Sequence, residues 1–572
     1  MRLHVRPTDE QARLQFVQAG LHPLLARLYA ARAVSSTDAL KLDPARLIDP
    51  QQLTHVQHAA ALLADALHAG KRLLIVADYD CDGATACAVG LRALRAMIHA
   101  TGSTARVDYF VPDRFKLGYG LSPELVDIVA AQQPDVLITV DNGIASVEGV
   151  ARANHYGITT LITDHHLPGA ALPAAACIVN PNQPGCQFPS KHLAGVGVMF
   201  YVMLALRAEL RHRNAFTHGE APNLGRLTDL VALGTVADVV PLDHNNRILV
   251  AQGLKQLRSG QGNVGMQALL TIAGRATRTV SAFDFGFVMG PRLNAAGRLT
   301  DMGLGIECLI TDDPARAANC AQALDQLNRE RRRIESDMLD QALELTTVLP
   351  DTPAAGLALF HPEWHQGVVG ILASRIKERL HRPVIAFARV TEGNEAGMLR
   401  GSGRSIPGLH LRDCLDRVVK HAPALVRRFG GHAQAAGLTI QESDFDAFAQ
   451  AFALAADALL PEEARARQLD TDGALETAYW TLEVAQMLEA EIWGQSFPPP
   501  VFCDTFRVES QRIVGEKHLR LRLMCADRRI DAMRFNANDA LPPRIRAAYR
   551  LGVNEFNGIR TPQLTIEYAE PA

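Results

Sequence analysis

Four short acidic or histidine clusters constrain this chain more than any other feature, and most of them end an apolar run with the character of a β-strand. KRLLIVADYDCDG closes on Asp78, Asp80 and Asp82, DVLITVDNG on Asp141, and GITTLITDHH on Asp164, His165 and His166; further on, LVALGTVADVVPL carries Asp238. Strands laid side by side in a parallel sheet share one carboxyl edge, and open α/β sheets place their ligands at that edge. Six carboxylates and two imidazoles crowded there would repel one another and could not all ionise cheaply. A pair of divalent cations resolves the conflict. The chain is therefore expected to be a metal-dependent enzyme working on something anionic.

D-Y-D-C-D-G also matches the first half of a calcium-binding loop, but Val89 stands where that loop needs a glutamate. In an extended segment, residues two apart point the same way. The three aspartates can then converge on one site while Cys81 points away into packing. Gly83 allows a tight exit into the next helix. A single Asp after a strand is commonly a helix N-cap; the joint pattern of four clusters points instead to a metal site. Oxygen-rich ligation with one His per metal favours Mn²⁺ or Mg²⁺ over zinc. Two such ions can activate a water and stabilise the leaving oxygen of a phosphoryl displacement.

At 572 residues the chain is too long for one core, and three or four domains are expected. A net charge of −3 argues against a protein that coats nucleic acid generally, without excluding a local basic groove. Nine cysteines with no C-x-x-C pair fit reduced thiols. MRLHVRPTDEQ lacks the apolar run of a signal peptide, and no stretch approaches the length of a membrane span, so a soluble, cytoplasmic protein is expected.

The expected architecture is α/β multidomain. Residues 1–50 read as helical lead-in with little chemistry. Residues 51–312 alternate strand and helix patterns, as a parallel-sheet domain does. Residues 313–349 form a long connecting helix: Asp313 is a natural N-cap, Pro314 suits the first helical position, and Pro350 ends it. Residues 350–462 form a second, smaller α/β domain, and residues 463–572 a small β-barrel. In that last segment HLRLRLM alternates, with Leu519, Leu521 and Leu523 facing one way and His518, Arg520 and Arg522 the other.

The set DYDCDG, VDNG, TDHH and GTVADVVPL resembles the DHH phosphoesterase superfamily. The further runs VPDRFKLGYGLS, GPRLNAAGRL, HPEWHQGVVGILASRI, GSGRS and FGGHAQAAG resemble its bacterial RecJ branch of single-stranded-DNA-specific 5′→3′ exonucleases. The likeness spans nearly the whole chain beyond residue 50. It implies a DHH domain, a DHHA1 domain and a C-terminal OB-fold, and degradation of single-stranded DNA to 5′ mononucleotides with two Mn²⁺ or Mg²⁺ ions. Carried over position by position, it implies Asp80, Asp82, Asp141, His165 and Asp238 as metal ligands. Asp141 would bridge the ions, and Asp78 would be a ligand or support one. Asp164 would orient its neighbours, while His166 and Arg298 would face the scissile phosphate.

Phosphate and base contacts are expected elsewhere. A guanidinium grips phosphate with parallel hydrogen bonds, which suits Arg114, and Tyr119 offers a face for a base. Arg292 and Asn294 lie close to Arg298 with weaker claims. GSGRS places Ser402 and Arg404 on what reads as a glycine-rich loop, an anion pocket that by resemblance holds the 5′ phosphate together with Arg114. His432, beside Gly430 and Gly431, is expected by the same likeness to line this groove. Arg520 and Arg522 suit a strand tracking over the barrel. The family's work in recombination and repair implies single-strand-binding protein and a helicase as partners, no membrane, and a monomer. The main rival is a DHH–DHHA1 phosphoesterase of short oligonucleotides, which resembles a two-domain core without the barrel.

Overall fold

The computed structural model describes residues 1–347, 354–391 and 396–572. The expected helix end at Pro350 lies outside them. Five parallel strands form the first sheet, in the order Arg106–Phe110, Arg72–Ala77, Val136–Val140, Thr159–Thr163 and Cys177–Val179. Their sequences are apolar on both faces, as helices covering both sides require. Leu73, Ile75 and Ala77 join the largest core, and Leu74 and Val76 a second core on the other face. The strand order reverses between Arg72–Ala77 and Val136–Val140, which opens a crevice at their carboxyl ends. Register aligns Ala77 with Val140 and Val140 with Thr163. Asp78, Asp141 and Asp164, the next residues of three strands, therefore stand at one level.

The D-Y-D-C-D-G segment is not extended throughout. A helix, Cys81–Thr101, begins inside it, with Asp80 as N-cap accepting from the Gly83 amide at 3.0 Å. Asp82 thus comes from the first helical turn, where the N-cap signal outweighs alternation. Cys81 is buried, as expected. Gly83 serves close packing: a Cβ there would sit 2.5 Å from the Asp78 carbonyl oxygen. Asp238 follows the helix Thr228–Ala237 as its C-cap.

The long helix runs Pro314–Thr347, with Asp313 accepting from the Ala315 amide at 2.9 Å. It leads to a second five-stranded sheet, ordered Arg428–Gly431, Ala435–Gln441, Met398–Arg404, Val384–Arg389 and Leu357–Phe360. GSGRS is not a loop: it is most of the central strand of this sheet. Its alternation explains the glycines. Cβ atoms at Gly401 and Gly403 would collide with Phe387 and Leu411, while Ser402 and Arg404 point to the other face.

The C-terminal unit is a closed five-stranded barrel. Leu519, Leu521 and Leu523 are buried in it, and His518, Arg520 and Arg522 face outward. Residues 1–50 are more than helical lead-in. Arg2–Val5 is a strand that pairs in parallel with Gln468–Thr471, a contact no local pattern announces. Arg32 grips Asp472 with two hydrogen bonds of 2.8 and 3.0 Å, both side chains 1% exposed. Tyr29 donates to Glu491, and Arg247 lies over the Phe497 ring. Catalytic unit and barrel consequently share one continuous core. No helix among the described residues is long and apolar enough to cross a membrane.

Candidate metal centre and phosphate-binding cleft

The sheet edge and two helix ends bring all six proposed ligands together. Asp78, Asp80 and Asp141 form one group; Asp82, His165 and Asp238 form a second; Asp141, His165 and His166 form a third. Within each, donor atoms lie within 4.8 Å of one another. Asp141 and His165 each belong to two groups; the two oxygens of Asp141 can serve both, while His165 offers one nitrogen. His165 Nε2 lies 3.1 Å from Asp141 Oδ1, 3.4 Å from Asp238 Oδ2 and 4.0 Å from Asp82 Oδ2.

These side chains are held from behind. Asp82 accepts from the amides of Gly195 and Val196 at 2.6 and 2.9 Å, at the start of the helix Gly195–His212. Asp164 accepts from the amides of Ile144, His165 and His166 and from His166 Nδ1, the last at 2.8 Å. Asn182 and Asn180 donate to the carbonyls of His165 and His166. Asn294 accepts from the Cys81 amide at 2.8 Å. The supporting amides and asparagines were not singled out in the sequence; only Asn294 was, on proximity to Arg298. GVG at a helix start was the available signal for the Asp82 clamp.

The electrostatics are those of an anionic cage. Burial, and then neighbouring carboxylates, push Asp78, Asp141 and Asp238 well above the usual range. Burial and Asp80 push Asp82 up to about 7. Burial, then His166, drives His165 down to about 4. Burial opposes a charge on His166, yet the bond to Asp164 outweighs it and raises His166 to about 9. Burial would also raise Asp164, but His166 holds it below the usual range. Asp141 Oδ1 and His165 Nε2 are buried without a hydrogen-bond partner. Orphaned acceptors of this kind are costly unless something else pairs with them. An oxygen-rich set with little imidazole suits a hard divalent ion.

The phosphate-binding candidates surround this cage. Arg298 donates to the Gly367 carbonyl at 3.1 Å, spanning the two α/β units. Burial, then Arg114 and Arg404, lower it to about 9. Arg114 lies with its guanidinium carbon 4.5 Å from the Tyr79 ring centroid and donates to the Gly297 carbonyl. Arg404 donates to Ser402 Oγ at 3.1 Å. Both rest over Gly370 in the first turn of the helix Val369–Leu380, where a Cβ would lie 2.9 Å from Ser402 Oγ and 3.1 Å from the Arg404 guanidinium. Among the described residues none of these three arginines makes an ion pair. Tyr119 is 49% exposed, donates to the Asp141 carbonyl at 3.2 Å and lies 3.1 Å from His166 Nδ1. Burial, and then the His166 charge, hold His432 below the usual imidazole range.

Two expectations fare differently. Arg292 is bound to Asp325 and the Val288 carbonyl, which fits a structural role. Arg520 and Arg522 lie away from the cage, on the barrel, and both pair with Asp531 at 3.0 and 3.2 Å. The face is basic in sequence but partly neutralised in three dimensions.

Family models match in the order of the three units: the DHH family N-terminal domain over residues 72–235, the DHHA1 domain over 352–457 and the RecJ OB domain over 471–568. The single-stranded-DNA-specific exonuclease RecJ of Escherichia coli is 47% identical, covering 100% of this chain and 99% of the relative. The protein of the same name from Dickeya dadantii is 49% identical over 100% and 99%. The chain belongs to the RecJ family. A solved RecJ from Thermus thermophilus in complex with Mn²⁺ superposes with a TM-score of 0.81 at 30% identity, covering 100% of this chain and 80% of that one. RecJ from the same organism was also solved with Mg²⁺, at a TM-score of 0.77.

Proposed function

We propose that this chain is a metal-dependent exonuclease that degrades single-stranded DNA from its 5′ end to 5′ mononucleotides by phosphodiester hydrolysis, in recombination and repair. The observation that carries the reading is the paired, carboxylate-rich cage with orphaned buried donors, set beside three arginines that lack anionic partners. Full-length similarity to single-stranded-DNA-specific exonucleases supports the substrate.

Asp78, Asp80, Asp82, Asp141, His165 and Asp238 would hold two Mn²⁺ or Mg²⁺ ions. When bound, such ions supply an activated water and neutralise charge on the leaving oxygen. Asp164 fixes the backbone of the His pair and keeps His166 protonated, so that His166 donates to the scissile phosphate. Tyr119 lies against the same His166 nitrogen that bonds Asp164 and leaves a ring face for a base. Arg298 stabilises the charge that builds on the phosphate in the transition state. Ser402, Arg404 and Arg114 hold the terminal 5′ phosphate, with the N-terminal turn of Val369–Leu380 adding its dipole. His432 lines the same groove. One unit grips the end while the other cuts a fixed distance away, which gives 5′→3′ polarity. A passage between the α/β units too narrow for a duplex gives strand selectivity.

On the barrel, phosphates would have to displace Asp531 from Arg520 and Arg522 to track there. The working division of the chain is 1–50, the catalytic unit 51–312, the connecting helix 313–349, the second unit 350–462 and the barrel 463–572. The enzyme acts as a cytoplasmic monomer alongside single-strand-binding protein and a helicase. The barrel weighs against the short-oligonucleotide phosphoesterases.

The test is a 3′-labelled single-stranded DNA incubated with the protein and Mn²⁺ or Mg²⁺, beside duplex and RNA counterparts. Progressive shortening of the DNA single strand from its 5′ end is expected. Rapid loss of two-to-five-nucleotide RNA, with long DNA untouched, would overturn the reading. Asp80→Ala is expected to abolish cleavage while DNA binding stays measurable; full activity with unchanged metal content would remove Asp80 from the centre.

A further inference from the structure

Three helices enclose a groove of ≈ 470 Å³ at the junction of the catalytic unit, the connecting helix and the second unit. One wall is a face of Phe285–Leu299, with Arg298 at the inner end and Asn294, Pro291 and Phe287 following turn by turn outward. The floor is a face of the connecting helix, and the other wall is Ile371 and Arg375. We propose that this groove receives the cleaved nucleotide, a deoxynucleoside 5′-monophosphate, and gives it a way out separate from the path by which the strand enters. The inference rests on the exonuclease reading above.

Four observations support it. The groove is continuous with the anion pocket: Gly370 lies beneath Ser402 and Arg404, Ile371 is the next residue, and Arg375 stands one turn further along the same helix. A phosphate released there meets the groove without crossing the metal cage. The charge is right for a dianion. Four guanidiniums, those of Arg298, Arg331, Arg332 and Arg375, line it with one carboxylate, Glu335, which Arg331 and Arg375 share, while Glu378 stands 3.7 Å from Arg375. Arg332 makes no ion pair among the described residues. The outer end offers a base a flat apolar face: Phe287 is 65% exposed and stacks on Phe283 with centroids 4.6 Å apart and an interplanar angle of 19°. The volume falls within the range of about 300–1,000 Å³ that holds a single small ligand. On the loop side of the cleft, the Phe115 ring contacts His365 of the second unit at 6.2 Å, edge to face. An enzyme that keeps hold of its strand between cuts needs an exit that the strand does not occupy.

The test uses full-length protein with Mg²⁺ and a 5′-phosphorylated oligothymidylate. Ser336→Trp would plug the groove and Arg332→Glu would reverse charge at its mouth; neither residue touches the cage, and the second, exposed position is tolerant of change. Rapid quench measures the first cut in a single turnover, and a steady-state assay measures repeated cutting. For both variants the first cut is expected to be unchanged and the steady-state rate to fall about tenfold, as when product release limits turnover. Arg332→Glu is also expected to weaken inhibition by added thymidine 5′-monophosphate about tenfold, through loss of a phosphate contact. An equal fall in the first cut would assign the groove to the incoming strand and overturn the proposal, as would two unchanged rates. Failure of the unaltered protein to shorten single-stranded DNA would instead overturn the exonuclease reading.

Discussion

Asp141 occupies the most exacting backbone position in the cage. Its φ is 62°, in the left-handed region that Asp and Asn tolerate better than other non-glycine residues. That conformation turns its carboxylate back between the two groups of donors. The space it needs is made by Gly195, where a Cβ would lie 2.6 Å from the Asp141 Cβ. Gly195→Ala is accordingly expected to displace Asp141, and to lower Mn²⁺ affinity by about 10–100-fold, the usual cost of disturbing a group that supports a ligand. Isothermal titration calorimetry, with circular dichroism as a check on folding, measures it. Stripping the metals exposes a second property of these carboxylates. Asp82 is raised from 3.8 to about 7 in the folded chain, so the folded state binds more protons than the unfolded one between those values. Its contribution to stability is complete below pH 3.8 and is lost as the pH rises through 7. The chelated protein is therefore expected to lose melting temperature from pH 5 to pH 8, and saturating Mn²⁺ to flatten that slope.

The central strand of the second unit shows how an element can be misread while the side chains singled out in it still stand together. Ser402 and Arg404 were picked out from composition, and Arg404 donates to Ser402 Oγ. Gly401 and Gly403 suggested a loop, because a glycine's reason for being in a strand is a tertiary neighbour such as Phe387, which local sequence does not display. The barrel strand His518–Cys525 is the converse: period-two alternation showed its faces, but Asp531, which neutralises Arg520 and Arg522, arrives from the next strand. Three of the four acidic clusters were legible because Asp78, Asp141 and Asp164 are the residues that follow their strands, and parallel register does the rest; Asp238 comes instead from the end of a helix. The Asp82 clamp was hidden by the 113 residues that separate it from Gly195. At this scale Arg404→Ala is expected to reduce preference for a 5′-phosphorylated over a 5′-hydroxyl single strand by about tenfold or more, given ~1.5–3 kcal/mol for a charge-assisted bond. Comparing KM on the two ends checks it; unchanged discrimination would take Arg404 out of end recognition.

Across the whole molecule, the largest gap between sequence and structure is residues 1–50. Read as lead-in, they fasten the barrel to the catalytic unit through the Arg2–Val5 strand and the Arg32–Asp472 pair. Arg32→Ala would strip Asp472 of two of its hydrogen bonds and leave it Arg6 at 3.3 Å and the Val501 amide at 3.0 Å. The variant is expected to destabilise the assembly of barrel and catalytic unit by ~1–3 kcal/mol. The measurement is chemical denaturation, followed by the fluorescence of Trp480 and Trp493, which lie near this junction.

That same strand pairing imposes an order on how the chain is made. The strand Arg2–Val5 is made 466 residues before the strand it pairs with. At ~5–20 residues per second the opening segment waits roughly half a minute or more for its partner. The catalytic unit must therefore take shape with its future clasp hanging free. The barrel locks on after the catalytic unit, so a chain cut short before it would keep an unpaired strand edge exposed to every neighbouring polypeptide.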